Sequence, residues 1–155
     1  WIDERSGDAE VYAARINRML LSAGPDKRIT SAAGSAAEVA LVARGPDALI
    51  AWSDARDKDQ PGVGDIYVAA LKGSDASLVG SEQVVEKTPR HSRSPALALV
   101  GKGALLAWIE ESVSPSGASG DAEVRVVELG ADARPLGRSL TIPLSGSAPN
   151  APQCD

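Results

Sequence analysis

Between Trp52 and Tyr67 the chain carries Asp54, Arg56, Asp57, Asp59 and Asp65. Carboxylates at that density suit Ca²⁺, a hard cation that takes oxygen ligands. The spacing is not that of an EF-hand loop. With Asp54 as first ligand, no Gly stands at the required turn and no Glu closes the loop. Asp57 and Asp59 are the candidate calcium ligands. The competing reading is a solvated hairpin loop, because the related loops elsewhere in the chain lack this acid density. Asp54 with Arg56, and Asp3 with Arg5, have the chemistry to hold a ligand's polar groups. Their recurrence favours a bracing role instead, since stacked repeats reuse their internal packing.

Other reaction chemistries find little footing. Glu110 and Glu111 are adjacent carboxylates, but neighbours on a strand point to opposite faces, so they are no glycosidase pair. A Ser-His-Asp triad needs a positioned imidazole, and the single histidine, His91, stands in the polar stretch TPRHSRS, read as a solvated connection. There is no Gly-x-Ser-x-Gly elbow and no Gly-x-x-x-x-Gly-Lys phosphate loop. One Cys and one His exclude a zinc site built from those residues alone. No cofactor is implied. The net charge of −5 argues against a nucleic-acid partner. No apolar run approaches the ~18 residues of a membrane-spanning helix.

The elements that position these residues repeat. Ala48-Leu49-Ile50-Ala51-Trp52 matches Ala104-Leu105-Leu106-Ala107-Trp108, and Ala40–Ala43 matches Ala96–Leu99. Gly45-Pro46-Asp47 and Gly101-Lys102-Gly103 lie between them as turns. After each Trp comes a polar loop that ends in an acid, a β-branched residue and a long side chain: Glu10-Val11-Tyr12, Asp65-Ile66-Tyr67, Glu123-Val124-Arg125. A Gly is then followed five positions on by Ile or Val, at Gly24, Gly80 and Gly137. Self-similarity on this scale marks a repeat architecture.

The short runs rich in Val, Ile and Leu, bounded by turn residues, predict strands, four to a unit, here labelled A to D. Helix is the competitor over 10–21 and 96–108, because Ala and Leu favour helices. In the third strand Tyr67, Ala69 and Leu71 would share one face and Ile66, Val68 and Ala70 the other. Both faces are apolar, so both should be covered. With no Phe, three Trp and two Tyr in 155 residues, each Trp is a large share of the aromatic packing. Their repeated place at a strand end favours packing between sheets over stacking on sugar rings.

Four short antiparallel strands per repeat form the blade pattern of a β-propeller. Ala51-Trp52-Ser53-Asp54-Ala55-Arg56 followed by Asp65-Ile66-Tyr67 resembles the repeats of bacterial secreted or surface β-propeller proteins. The third copy departs from it, with Ile109-Glu110-Glu111 after Trp108 and Arg125 in place of Tyr. The resemblance implies an extracellular or periplasmic location. The expected fold is all-β: a partial β-propeller of about two and a half four-stranded antiparallel blades. Residues 1–30 would give strands C and D of a first blade, 36–86 a second, 93–143 a third, and 144–155 a linker into a further blade. The start at Trp1 reads as a chain processed, trimmed or excerpted, without the look of a signal peptide. Cys154 has no internal disulfide partner. Half-finished blades expose edges and apolar faces, so another chain or the rest of a larger propeller should complete them.

The functional expectation is a non-catalytic binding or scaffolding module that recognises a protein or glycan through its B–C loops. These differ most between copies: RSG, RDKDQPGVG and SVSPSGASG. The alternative is part of a propeller glycoside hydrolase whose catalytic groups lie outside this segment. A structural assembly protein, completed by strand addition, is the third reading.

Overall fold

The computed structural model describes residues 1–113 and 119–143. Most of the third B–C loop, and the expected linker 144–155 with Cys154, lie outside the described residues. Among the described residues the chain is all-β and has no helix. Sheet one pairs β1 (Ile2–Asp3), β2 (Glu10–Ala13) and β3 (Lys27–Arg28). Sheet two runs β4 (Ala36–Arg44), β5 (Asp47–Asp54), β6 (Asp65–Leu71), β7 (Leu78–Val84). Sheet three runs β8 (His91–Val100), β9 (Gly103–Val113), β10 (Ser119–Leu129), β11 (Leu140–Pro143). Every pairing is antiparallel between strands adjacent in sequence.

Local chemistry explains the hairpins. β4 and β5 are joined through Gly45-Pro46, and β8 and β9 through Gly101-Lys102. Gly45 and Gly101 both take φ 57°. A positive φ at the first of two loop residues is what a type II′ hairpin requires. The first strands of sheets two and three share an irregularity as well. Their ladders slip between Ala37 and Ala40, and between Arg93 and Ala96. Glu38 and Ser94, at matching places, take φ 52° and 51°. Such backbone costs a non-glycine residue about 1–2 kcal/mol. The second bulge also accommodates Pro95, which has no N–H to give the ladder. It lets β8 begin at His91, so His91 is a half-buried strand residue and not part of a solvated connection.

Over 10–21 the expected strand proves shorter. β2 stops at Ala13, and a small hairpin follows in which Ile16 bridges Ser22. Asn17 makes the turn: its Oδ1 accepts the N–H groups of Met19 and Leu21, and Leu20 sits at φ 60°. A side-chain amide competing with the backbone in this way favours a turn.

The core lies in two layers, one on each face of sheet two. Ile50, Trp52, Tyr67, Ala69 and Leu71 pack with Val11, Ala13 and Ile29 of the sheet-one segment. Leu49, Ala51, Ile66, Val68 and Ala70 pack with Leu97, Leu106, Trp108 and Val127 of sheet three. The period-two alternation of β6 is therefore as the sequence predicts, and both of its faces are covered. Backbone bonds join successive sheets in the same manner twice. Ala36 N–H donates to Ala9 O at 2.9 Å, and Ser92 N–H donates to Gly64 O at 2.8 Å. Ala36 opens β4 and Ser92 is the second residue of β8, and the two acceptors immediately precede the acids that open β2 and β6, Glu10 and Asp65. The bulges interlock too, with Ser94 N–H and Oγ–H donating to the Glu38 carboxylate.

Trp52 is wholly buried, whereas Trp1 is 45% exposed. Truncating a buried indole removes transfer energy and leaves a cavity, so Trp52→Ala should cost about 3–5 kcal/mol in urea denaturation. Trp1→Ala should cost well under half of that. Equal losses would contradict the layered core.

Candidate functional site

The five singled-out residues all lie at the loop end of β5 and β6, but they divide into two groups. Asp54 closes β5 and is buried. It accepts the indole N–H of Trp52 at 3.2 Å and an ion pair from Arg56. Arg56 also pairs with Glu82, and its guanidinium carbon lies 4.1 Å from the Tyr67 ring centroid. Tyr67 stacks on Trp52 with centroids 6.0 Å apart. Burial works against the charge on Arg56, but the hydrogen bonds to Asp54 and Glu82 outweigh it and raise its pKa above the ordinary value. Two carboxylates and an aromatic face thus hold this guanidinium through Nη1 and Nη2, and its Nε is buried without a partner.

The same brace stands in sheet one. Trp1 Nε1 donates to Asp3 at 3.4 Å, and Arg5 pairs with Asp3 at 2.6 Å and Asp26 at 2.5 Å. Arg5 lies 4.6 Å from the Tyr12 ring centroid, and Trp1 stacks on Tyr12 at 6.0 Å. Hydrogen bonds from Arg5 hold the Asp3 carboxyl well below the usual carboxylate range.

Sheet three performs the same task with a different residue. Trp108 Nε1 donates to Glu110 at 2.9 Å, so Glu110 fills the place of Asp3 and Asp54. Ser112 stands where the other copies have arginine. The cation comes instead from Arg125, opposite Trp108 in the ladder where the other copies have tyrosine. Arg125 reaches Glu110 at 3.8 Å and Glu86 at 3.3 Å. Glu110 also accepts hydroxyl hydrogens from Thr88 and Ser92. The departure of the third copy is thus a relocation of its cation. Trp-x-acid, common to Trp1-Ile2-Asp3, Trp52-Ser53-Asp54 and Trp108-Ile109-Glu110, was the available signal for this brace.

The second group faces outward. Asp57 Oδ1 accepts Asp59 N–H at 3.0 Å, and Asp57 Oδ2 pairs with Lys87 at 2.6 Å. Lys87 holds the Asp57 carboxyl below its ordinary pKa, and Asp57 raises that of Lys87. Both oxygens of Asp57 are therefore engaged within the chain. Asp57 and Asp59 meet through a backbone turn and not through facing carboxylates. Among the described residues no three of His, Cys, Asp and Glu gather as a metal site. Lys87 lies 30 positions from its partner, and no local pattern announces it.

Among the described residues Asp65 has no ion-pair partner of the kind Asp54 and Asp57 have. It is buried, and its Oδ1 has no hydrogen-bond partner, a lack that the buried Oδ1 of Asp54 shares. Burial pushes its pKa up, Asp57 and Glu110 add to the rise, and Lys87 and the Thr88 backbone oppose it. Next to it Gly64 donates its N–H to His91 Nδ1 at 2.9 Å. A Cβ on Gly64 would lie 2.5 Å from Ser53 Oγ, so glycine is needed for this approach. Beyond these fixed points Lys58, Asp59, Pro61 and Gly62 stand exposed at the loop tip. No family model, curated protein or solved structure matches this chain.

Two outcomes follow. A carboxyl with a raised pKa in the folded state binds its proton more tightly when folded. Its contribution is most favourable below the unfolded value of 3.8 and is lost as pH rises through the raised one. Asp65→Asn should therefore raise Tm at pH 7, and the gain should vanish below about pH 4. A gain that persists at pH 3 would contradict the assignment. In sheet three, Arg125→Tyr should destabilise by leaving Glu110 short of its cation. Adding Ser112→Arg should recover about 0.5–3 kcal/mol of that loss in a double-mutant cycle. Strict additivity would deny the relocation.

Proposed function

We propose that the three sheets are successive blades of a β-propeller segment, which serves as a non-catalytic binding or scaffolding module. The observation that carries this is the braced strand end. In each copy the acid two residues after a Trp takes the indole N–H and pairs with an arginine, and the loops beyond differ in length and sequence. A constant frame with divergent loops is where recognition is usually built. The working surface is accordingly the B–C loop end, with Lys58 and Asp59 as exposed polar groups in the second loop. Its partner is a protein or a glycan. The family resemblance adds an extracellular or periplasmic setting. The two adjacent carboxylates of β9 support no hydrolase reading, because Glu110 is spent on Trp108, Thr88, Ser92 and Arg125, and Arg93 holds Glu111.

A loop exchange tests this. Replacing residues 57–63 by a short Gly-Ser turn leaves Asp54, Arg56 and Asp65 in place. The wild-type chain should bind members of an immobilised oligosaccharide and extracellular-protein array, and the exchange should abolish binding with Trp fluorescence unchanged. Binding that survives the exchange, or release of reducing sugar from the arrayed oligosaccharides, would overturn the proposal.

A further inference from the structure

The two faces of sheet two supply an internal standard for sheet three. The face of sheet two that looks toward sheet three is made by Leu49, Ala51, Ile66 and Val68, all buried. What covers it is the opposite kind of face: the side of sheet three that carries Trp108 and Leu106. Trp52 and Ile50 of sheet two likewise lie toward sheet one. Each sheet thus presents its Trp side to the sheet before it and its small aliphatic side to the sheet after it.

On sheet three the aliphatic side is built from the corresponding residues. Leu105 stands for Leu49, Ala107 for Ala51, Val124 for Ile66 and Val126 for Val68. The ladder confirms their common face, since Val126 pairs with both Ala107 and Leu140, and Val124 with both Ile109 and Ile142. Ile109, at the loop end, is buried. Elsewhere the face is open: Leu105 toward the other end is 38% exposed, and on the outer strand Ile142 is 51% and Leu140 72% exposed. Leu105, Val126, Leu136 and Leu140 line a groove of ≈ 330 Å³ there, to which Glu128 and Arg138 also contribute. Exposed aliphatic side chains grouped in this way are unfavourable in water.

We infer that this face is a docking surface for a further antiparallel sheet of the same repeat, packed face to face with its Trp side over Leu105 and Val126. The inference rests on the stacked-sheet reading proposed above and names its next contact. Continuity with the two existing interfaces selects the occupant. The aliphatic sides of sheets one and two are each covered by a Trp side. At both junctions an amide at the start of the following sheet donates to a carbonyl just before the acid that opens β2 or β6. The carbonyl in that place on sheet three is that of Ala122, beside Glu123. The contact is therefore packing of side chains between sheets, with edge pairing playing no part.

Supplying the occupant tests it. Pro152 aligns in sequence with Pro95, so a second copy of residues 91–143 joined after Ser147 keeps that register and supplies the Ser92 amide in place of Pro149, which has no N–H. Leu105→Cys in a Cys154→Ser background reports on the face through its rate of reaction with a thiol reagent. That rate should fall at least about tenfold in the extended chain, where access requires local opening. Leu105→Arg should be nearly neutral in the 155-residue chain and should lower Tm by about 5 °C or more in the extended one. Equal labelling rates in the two chains would overturn the inference. So would concentration-dependent self-association of the unextended chain that Leu105→Arg abolishes while extension leaves labelling unchanged. That outcome would assign the face to a second copy in another arrangement. Loop-dependent binding is measured separately, so it stands or falls without this result.

Discussion

A buried charge is tolerable only when it is paired, and sheets two and three each bury one beside a buried Trp, Asp54 and Glu110, while Asp3 makes the same contacts half-buried. The acid two residues after each Trp takes the indole N–H and a guanidinium together. That arrangement lets an indole lie between sheets without leaving its N–H unsatisfied. It also fixes the strand end from which each B–C loop departs. In a chain without Phe, the Trp–acid pair is the means by which Ala-rich, small-volume sheets keep the ~10 Å separation of packed layers. The cation is free to come from either strand, as Arg5, Arg56 and Arg125 show, because the requirement is electrostatic and not positional.

Packing follows from this constraint. With the strand end fixed, the period-two alternation sends one set of side chains to each neighbouring sheet. Sheet two, covered on both faces, is the best buried element of the chain. Bulges at Glu38 and Ser94 carry backbone strain, and the carboxylate of one receives the amide of the other. Strain in one sheet is offset by a hydrogen bond to the next. The sheets are therefore coupled through strand starts and strand ends as well as through the core.

Much of the strand pattern was legible in the sequence. β4 to β7 and β8 to β11 sit where the turn residues and apolar runs place them, and β6 shows the predicted alternation. The misses have specific causes. The segment over 10–21 splits into β2 and a small hairpin whose turn Asn17 forms by taking two backbone N–H groups, a geometry that composition does not reveal. His91 enters a strand because a bulge before Pro95 restores the ladder, where a proline reads as a boundary. The candidate site was half legible. Asp54 with Arg56 was recognisable as a recurring pair, whereas Lys87 on Asp57 joins distant segments.

The sequence by itself determined which residues form strands, where they turn and which acids, arginines and tryptophans recur. All of these are set by local sterics and by repetition along the chain. Only the tertiary structure decided what those residues do. It set the recurring Asp–Arg pairs against Tyr and Trp rings, left Asp65 buried without a full set of partners, and moved the third cation from one strand to its neighbour. Burial and pairing depend on which sheet lies against which. That information belongs to contacts between segments tens of residues apart and not to any one of them.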